Sequence, residues 1–266
     1  MGETLVLGTA FGYGAQHVRI FVESLRRHYD GDVQLVVTSR GPADLLDYLP
    51  TRRVVPRFFD TALWMVTHIQ VGRYVRYYEI LRESPKRYDR VLLTDVTDVM
   101  FQGDPFHGAP DGDLLFFMED PRTTIGASKP NATWIQQVFG DETLGQLADK
   151  PISCSGTTMG SHDAVLHYIE LLLKYAKPDL MASLKGWKGH DQGIHNYLLH
   201  TGAVPARMVE NGTHIHTLGL MPDADIRIGT DGILGPHGRP CPIVHQWNYR
   251  PAAKAWVEKS WAAPGN

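Results

Sequence analysis

From residue 4 to residue 38 the sequence reads strand, helix, strand, and that order leaves few ways to fold. Residues 4–9 (TLVLGT) are a short β-favouring run that closes into a glycine-rich loop, Gly8 to Gly14. Val18, Phe21, Val22 and Leu25 follow at i, i+3, i+4 and i+7, the spacing of one apolar helix face. Asp30-Gly31-Asp32 signals a turn, and residues 33–38 are a second β run. Two strands joined through a helix pair parallel in one sheet, with a right-handed crossover. The pattern recurs: a helical stretch is predicted over 61–83, with Val71, Tyr74, Val75 and Tyr78 on one stripe, and Ser84-Pro85 ends it. Residues 90–94 (RVLLT) show no alternation and read as a strand buried on both faces.

The second half is more broken. Residues 113–118 and 152–159 read as strands. Residues 163–175 and 191–199 read as helices, Tyr168, Leu171 and Leu172 forming a core stripe. Pro and Gly dominate 202–242, with short strands at 214–217 and 243–245. No repeat and no long linker divides the chain. The expectation is one α/β domain: a Rossmann-like, mostly parallel sheet flanked by helices. At 266 residues and 43% hydrophobic the chain can bury a sizeable core. Its 26 basic and 29 acidic residues leave a net charge of −3, which argues against a general nucleic-acid binder. Cys154 and Cys241 make no disulfide framework, no apolar run approaches a membrane span, and the first residues are not those of a secretory signal. Reduced cysteines in a cytoplasmic protein are expected.

The strand at 90–94 runs directly into Asp95-Val96-Thr97-Asp98. In open parallel sheets ligands bind beyond the carboxyl ends of the strands, and here that end carries two carboxylates. Held close, they repel when both are ionised. A divalent cation removes the conflict, and oxygen ligands suit Mg²⁺ or Mn²⁺. A solvated turn with one Asp capping a helix is the other reading of the same residues.

Residues 88–99 (YDRVLLTDVTDV) resemble the stretch that carries the Asp-x-Asp motif of GT-A-fold glycosyltransferases, in particular glycosyltransferase family 8, the retaining galactosyl- and glucosyltransferases. Four further segments match in order. Tyr74-Val75-Arg76-Tyr77 resembles the family's Tyr-x-Arg segment, and Ser155-Gly156-Thr157 stands where it has Asn-Ala-Gly-Val. Asp191-Gln192-Gly193 resembles Asp-Gln-Asp. His245-Gln246-Trp247-Asn248-Tyr249-Arg250-Pro251 resembles His-x-x-Gly-x-x-Lys-Pro-Trp. The resemblance spans residues 4–251. It departs in an acidic motif one residue longer, so that either Asp95 and Asp98 both ligate or Asp98 ligates with Asp95 in support. Asn248 replaces Gly, Arg250 replaces Lys and Ala252 replaces Trp, so a sister family also fits.

The resemblance implies a single GT-A-type domain, with 1–100 a nucleotide-binding half, 101–251 a mixed acceptor and catalytic half, and 252–266 a C-terminal tail. It implies Mn²⁺ or Mg²⁺ on Asp95, Asp98 and His245, bridging the diphosphate of a nucleotide-sugar donor. Arg250 would fork onto the same phosphates. Arg76 would balance charge at the donor, although Arg73 and Arg82 nearby also make it one cation of a basic helix. Thr9, Ala10, Phe11, Tyr13 and Thr97 would receive the donor, an aromatic ring stacking on the base. Asp191 and Gln192 would act beside the anomeric carbon. The implied reaction moves a hexose from a UDP-linked donor to a saccharide or other hydroxyl acceptor, with retention. Nucleic acid is not an expected partner; weak membrane association and oligomeric state are left open. One rival is a sugar-nucleotide pyrophosphorylase, which would want a basic residue in the loop 8–14, where there is none. The other is a non-catalytic nucleotide- or carbohydrate-binding module on the same fold. Trp187, Trp247 and Tyr249 read equally as a sugar-stacking platform or as packing, and His214 and His216 as structural.

Overall fold

Strands β1 (Thr4–Thr9), β2 (Asp32–Thr38), β3 (Val55–Phe59) and β4 (Arg90–Thr94) lie in the order β3-β2-β1-β4 and are all parallel. This computed structural model describes residues 2–59, 69–177 and 189–261. The chain builds outward from β1 on one side, then places β4 on the other. The strand order therefore reverses between β1 and β4, and the carboxyl ends of that pair bound a crevice of the kind in which such sheets take ligands. Beyond β4 the sheet continues with β7 (Ser153–Gly160), β6 (Leu114–Met118) and β8 (Arg207–Val209). β7 is antiparallel to both β4 and β6, and β8 is parallel to β6. The carboxyl ends of β4 and β6 thus point the same way.

Successive residues of β1 face opposite layers. Val6 packs with Val18, Phe21, Val22 and Leu25 of α1 (Ala15–His28) and with Leu45 and Leu49 of α2 (Ala43–Thr51). Leu5 and Leu7 pack with α3 (Ile69–Arg82) and α5 (His162–Tyr175) on the other face. Each fully buried aliphatic side chain contributes roughly 1.5–3 kcal/mol, and both layers are lined with them. The result is a mixed α/β fold with a mostly parallel central sheet flanked by helices, compatible with a Rossmann-like architecture. Among the described residues no helix is long and apolar enough to cross a membrane.

Several elements depart from the sequence reading. Residues 61–68 of the predicted helix, and Trp187, lie outside the described residues. On α3 the buried stripe is Val71, Tyr74, Tyr77 and Ile80, while Val75 and Tyr78 are only half-buried. The face is rotated because α3 packs on α5 as well as on the sheet. α4 (Lys129–Leu147) was not legible: it is weakly amphipathic and breaks at Gly140, whose φ is 84°. In place of a tail, α7 (Pro251–Ser260) starts with Pro251 in its first turn and buries Ala253 and Val257, one turn apart, in a cluster with Trp247.

A second, small sheet joins distant parts of the chain. β5 (Val99–Phe101) pairs antiparallel with β12 (Ile243–His245), which pairs parallel with β9 (Ile215–Thr217). β10 (Arg227–Ile228) and β11 (Ile233–Leu234) form a separate ribbon.

Candidate metal centre

The register of the small sheet brings three sequence-distant ligands together. His245 ends β12 directly opposite Val99 of β5, and Asp98 immediately precedes Val99. The Gln246 N–H donates to the Asp98 carbonyl at 2.8 Å, and the Asp95 N–H to the Gly156 carbonyl of β7 at 2.8 Å. His245 Nε2 then lies 3.6 Å from Asp95 Oδ2 and 3.9 Å from Asp98 Oδ1. One ligand atom from each residue falls within 4.8 Å of the others. The cluster could hold a metal ion.

The donor set fits one. Asp98 Oδ1 and both His245 ring nitrogens are buried without a hydrogen-bond partner among the described residues. Leaving such atoms unmet costs about 1–3 kcal/mol each, and two carboxylate oxygens with an imidazole nitrogen suit a divalent cation. The wall of the cradle is Gly156: a Cβ there would sit 2.5 Å from Asp95 Oδ2 and 2.9 Å from His245 Nε2. The chain leaves β12 through Gln246 in a left-handed conformation, φ 58°, a strained geometry of the sort that persists where surrounding contacts over-determine it.

The electrostatics separate the two carboxylates. Burial raises the pKa of Asp95, but Arg73 and His245 outweigh it and hold the group well below the ordinary range. Burial pushes Asp98 up to about 6; His245 works against the rise and the Asp95 charge adds to it. Burial disfavours a charged His245 ring, yet Cys154 and the two carboxylates hold its pKa well above that of free imidazole. A bound cation would take the place of that proton.

The cation that meets these acids is Arg73, not the sequence-predicted Arg76. Arg73 is 12% exposed; Nη1 donates to Asp95, and Nη2 donates to Asp191 Oδ2 at 2.8 Å. Arg76 pairs with Glu79 at 2.8 Å. The reason lies in the crossover. α3 returns against the strand direction, so residues nearer its start lie nearer the carboxyl edge, and Arg76 is one turn further away.

Asp191 and Gln192 open α6 (His190–His200). Asp191 also accepts from Ser155 Oγ at 3.4 Å; burial raises its pKa and Arg73 offsets part of the rise. Gln192 Nε2 donates to Glu119 Oε1 at 3.1 Å and to Asn131 Oδ1 at 2.9 Å. Burial pushes Glu119 up to about 7, against His245 and the hydrogen bonds of Gln192 and Cys154. Glu119 and Asn131 were missed in the sequence. The available signal was an apolar strand, β6, ending in Glu119-Asp120, as β4 ends in Asp95.

A cleft of about 290 Å³ opens beside the cluster. Thr9, Phe11, Tyr13, Asp95, Thr97 and Asp98, all singled out from sequence, line it, joined by Gln70, Arg73, Val96 and Tyr249. Tyr249 is 63% exposed, whereas Trp247 is buried in the core. Thr9 Oγ1 donates to Tyr77 Oη at 2.7 Å. Ala10, Arg76 and Arg250, expected at the donor, are not among the residues that line it, and neither are Asp191, Gln192 and His245. Ala10 is buried, its N–H donating to the Val36 carbonyl at 2.8 Å. Arg250 is committed within the fold: its guanidinium donates to the carbonyls of Leu218 (3.0 Å) and Gly219 and to Asp223 Oδ1 at 3.4 Å. His214 and His216 are structural, bonded to the Pro105 carbonyl and the Met221 sulfur. Compared with models of known protein families the chain matches none, and no curated protein sequence matches it.

Proposed function

We propose that the chain is a metal-dependent glycosyltransferase of the GT-A type, similar to glycosyltransferase family 8. It moves a hexose from a UDP-linked donor to a saccharide or other hydroxyl acceptor with retention of configuration. The observation that carries the reading is the convergence of Asp95, Asp98 and His245 on one point past the carboxyl end of β4, with Asp98 Oδ1 and both His245 ring nitrogens unmet among the described residues. The ordered sequence motifs supply the chemistry expected at that place.

Asp95, Asp98 and His245 would hold Mn²⁺ or Mg²⁺, which when bound supplies the positive charge that a departing diphosphate needs. The remaining work falls to side chains. Tyr13, 37% exposed, offers a ring face to a base, Phe11 backs the cleft from the core against Phe59, and Thr9 and Thr97 offer hydroxyls. Arg73 fixes Asp95 and Asp191 in one frame, joining the donor wall to the acceptor wall. Asp191 and Gln192 orient sugar hydroxyls and stabilise positive charge at the anomeric carbon. The bond from that carbon to the phosphate oxygen breaks while the acceptor oxygen bonds on the same face. The acceptor proton passes to the leaving phosphate, so no strong side-chain base is required. Positioning and fixed charge do the rest.

The test is release of UDP from a panel of UDP-hexoses with and without Mn²⁺. Asp98→Ala is expected to abolish metal-dependent turnover, and the thermal shift produced by Mn²⁺ with UDP, while leaving the circular dichroism unchanged. Full activity in that variant overturns the reading. Pyrophosphate release from a nucleoside triphosphate would favour the pyrophosphorylase instead.

A further inference from the structure

We infer that Glu119 is a positioning residue: together with Asn131 it locks the Gln192 side-chain amide in one orientation, so that the carbonyl oxygen and not the NH₂ group is left to face the reacting centre. The inference rests on the transferase reading above and deepens it.

A glutamine amide can turn over, exchanging two donors for an acceptor at little intrinsic cost. Here both donors are claimed. Gln192 Nε2 donates to Glu119 Oε1 (3.1 Å) and to Asn131 Oδ1 (2.9 Å). Asn131 is in turn engaged, its Nδ2 donating to Ser128 Oγ at 2.9 Å with its oxygen toward Gln192. The backbone below is held as well: Asn196 Nδ2 donates to the Gln192 carbonyl at 2.9 Å, and Asn196 Oδ1 accepts the Ser153 N–H at 2.8 Å. A reversed Gln192 would set its oxygen against the Glu119 carboxylate, which has no proton to donate, and, unless Asn131 turned over with it, against Asn131 Oδ1 as well. The orientation with both donors engaged is favoured.

In that orientation Gln192 Oε1 meets, among the described residues, the Cys154 thiol, a weak donor, at 3.7 Å. Its lone pairs stay available. An amide oxygen favours positive charge developing at a sugar carbon, and an NH₂ group in the same place would oppose it. The lock belongs to the carboxylate form of Glu119, which can only accept; a protonated carboxyl would also offer an O–H to a reversed amide. A carboxyl is a costly choice for filling space, because burying one works against stability. Its placement is explained by the bond it makes.

Glu119→Met removes the acceptor at similar volume, and Glu119→Gln restores one, its amide oxygen turning to Gln192. With UDP-glucose and UDP-galactose as probes and Mn²⁺ present, Glu119→Met is expected to lower kcat at least tenfold with KM for the donor changed less than threefold. Glu119→Gln is expected to keep at least a third of wild-type kcat. Hydrogen-exchange NMR of the Gln192 side-chain amide, assigned by its absence in Gln192→Ala, reads the orientation without turnover. Protection is expected in the wild type and in Glu119→Gln and is expected to be lost in Glu119→Met. Unchanged kcat and protection in Glu119→Met overturn the inference. So does a fall in Glu119→Gln as deep as in Glu119→Met, which would make Glu119 a group acting through its charge. A wild type inactive on every donor overturns the transferase reading alone, while the exchange pattern still decides whether Glu119 and Asn131 hold the amide.

Discussion

On the β4 side of Arg73, Asp98 Oδ1 and both ring nitrogens of His245 are buried and unbonded among the described residues. On the α6 side of Arg73, Asp191 accepts from Arg73 and Ser155, Gln192 donates to Glu119 and Asn131, and His195 is bonded on both ring nitrogens. Both walls are polar and buried, and both carry acids. Asp191, Gln192 and His195 find their partners within the fold, whereas Asp95, Asp98 and His245 form a cluster that could hold a metal ion. Unmet buried groups are destabilising, so that cluster is held in place by its neighbours: the pairing of β5 with β12, the close approach at Gly156, and Arg73. The difference teaches that the Asp95–Asp98–His245 side leans on the α6 side, and Arg73 is the side chain that spans them.

Removing that span should have the largest effect on stability. Arg73→Met leaves Asp191, 4% exposed, buried without its cation, and breaking a buried pair from one side costs about 3 kcal/mol. Urea denaturation measures it. A cost below about 1 kcal/mol would mean that the two walls stand independently. Gly156→Ala probes the Asp95–Asp98–His245 side alone. The added methyl meets Asp95 Oδ2 and the His245 ring, both ends of side chains and not backbone. They can move aside, so the fold should tolerate the change. Their displacement should weaken Mn²⁺ binding by about tenfold, in line with other disturbances of the groups that orient ligands. Calorimetry with Mn²⁺ decides it; undiminished affinity would place the ion away from this cradle.

The same contrast governs what the sequence could reveal. β1, α1, β2 and β4 are legible because their information is local: Val18, Phe21, Val22 and Leu25 repeat at helical spacing, and all four are buried. Asp95 and Asp98 are legible for the same reason, at the end of an apolar run. His245 needed its motif, since nothing local separates it from the other histidines. What stayed hidden depends on register and direction. Arg73 against Arg76 is decided by which way α3 returns across the sheet. Glu119 becomes part of the site only because β6 and β4 run the same way with β7 reversed between them. Arg250 was placed at the phosphates by its motif, whereas the 218–223 segment folds back to take its guanidinium. α4 and α7 lacked a clear apolar stripe or lay past the last motif.

His195 tests how complete the α6 wall is. Burial, with His200 and Arg73 adding to it, lowers its pKa from 6.5 to about 3. Between those values the unfolded chain binds a proton that the folded chain refuses, so stability falls as pH drops through that window. His195→Leu forfeits the bonds to Ser153 (2.9 Å) and Tyr168 (2.8 Å), costing about 1 kcal/mol at neutral pH. It also removes the proton sensitivity. Its penalty in denaturant should therefore shrink between about pH 7 and about pH 4.5. A penalty that grows toward acid would mean that the ring is protonated inside the fold.

Arg76→Ala should have the smallest effect, and it separates the geometry from the motif most cleanly. Arg76 lies one turn from Arg73 on the same helix and has the same charge, yet its partner is Glu79, 40% exposed and three residues on. Exposed pairs of this kind contribute about 0.5 kcal/mol. Removing Arg76 leaves no acid of the cleft without its cation, so the affinity for Mn²⁺ and UDP should stay within about twofold of wild type. Calorimetry on Arg76→Ala beside Arg73→Met makes the comparison directly. A tenfold loss of UDP affinity in Arg76→Ala would show that this arginine swings into the cleft when the ligand arrives. The sequence motif would then have named the right cation, and the Arg73 bridge would describe only the resting arrangement of the two walls.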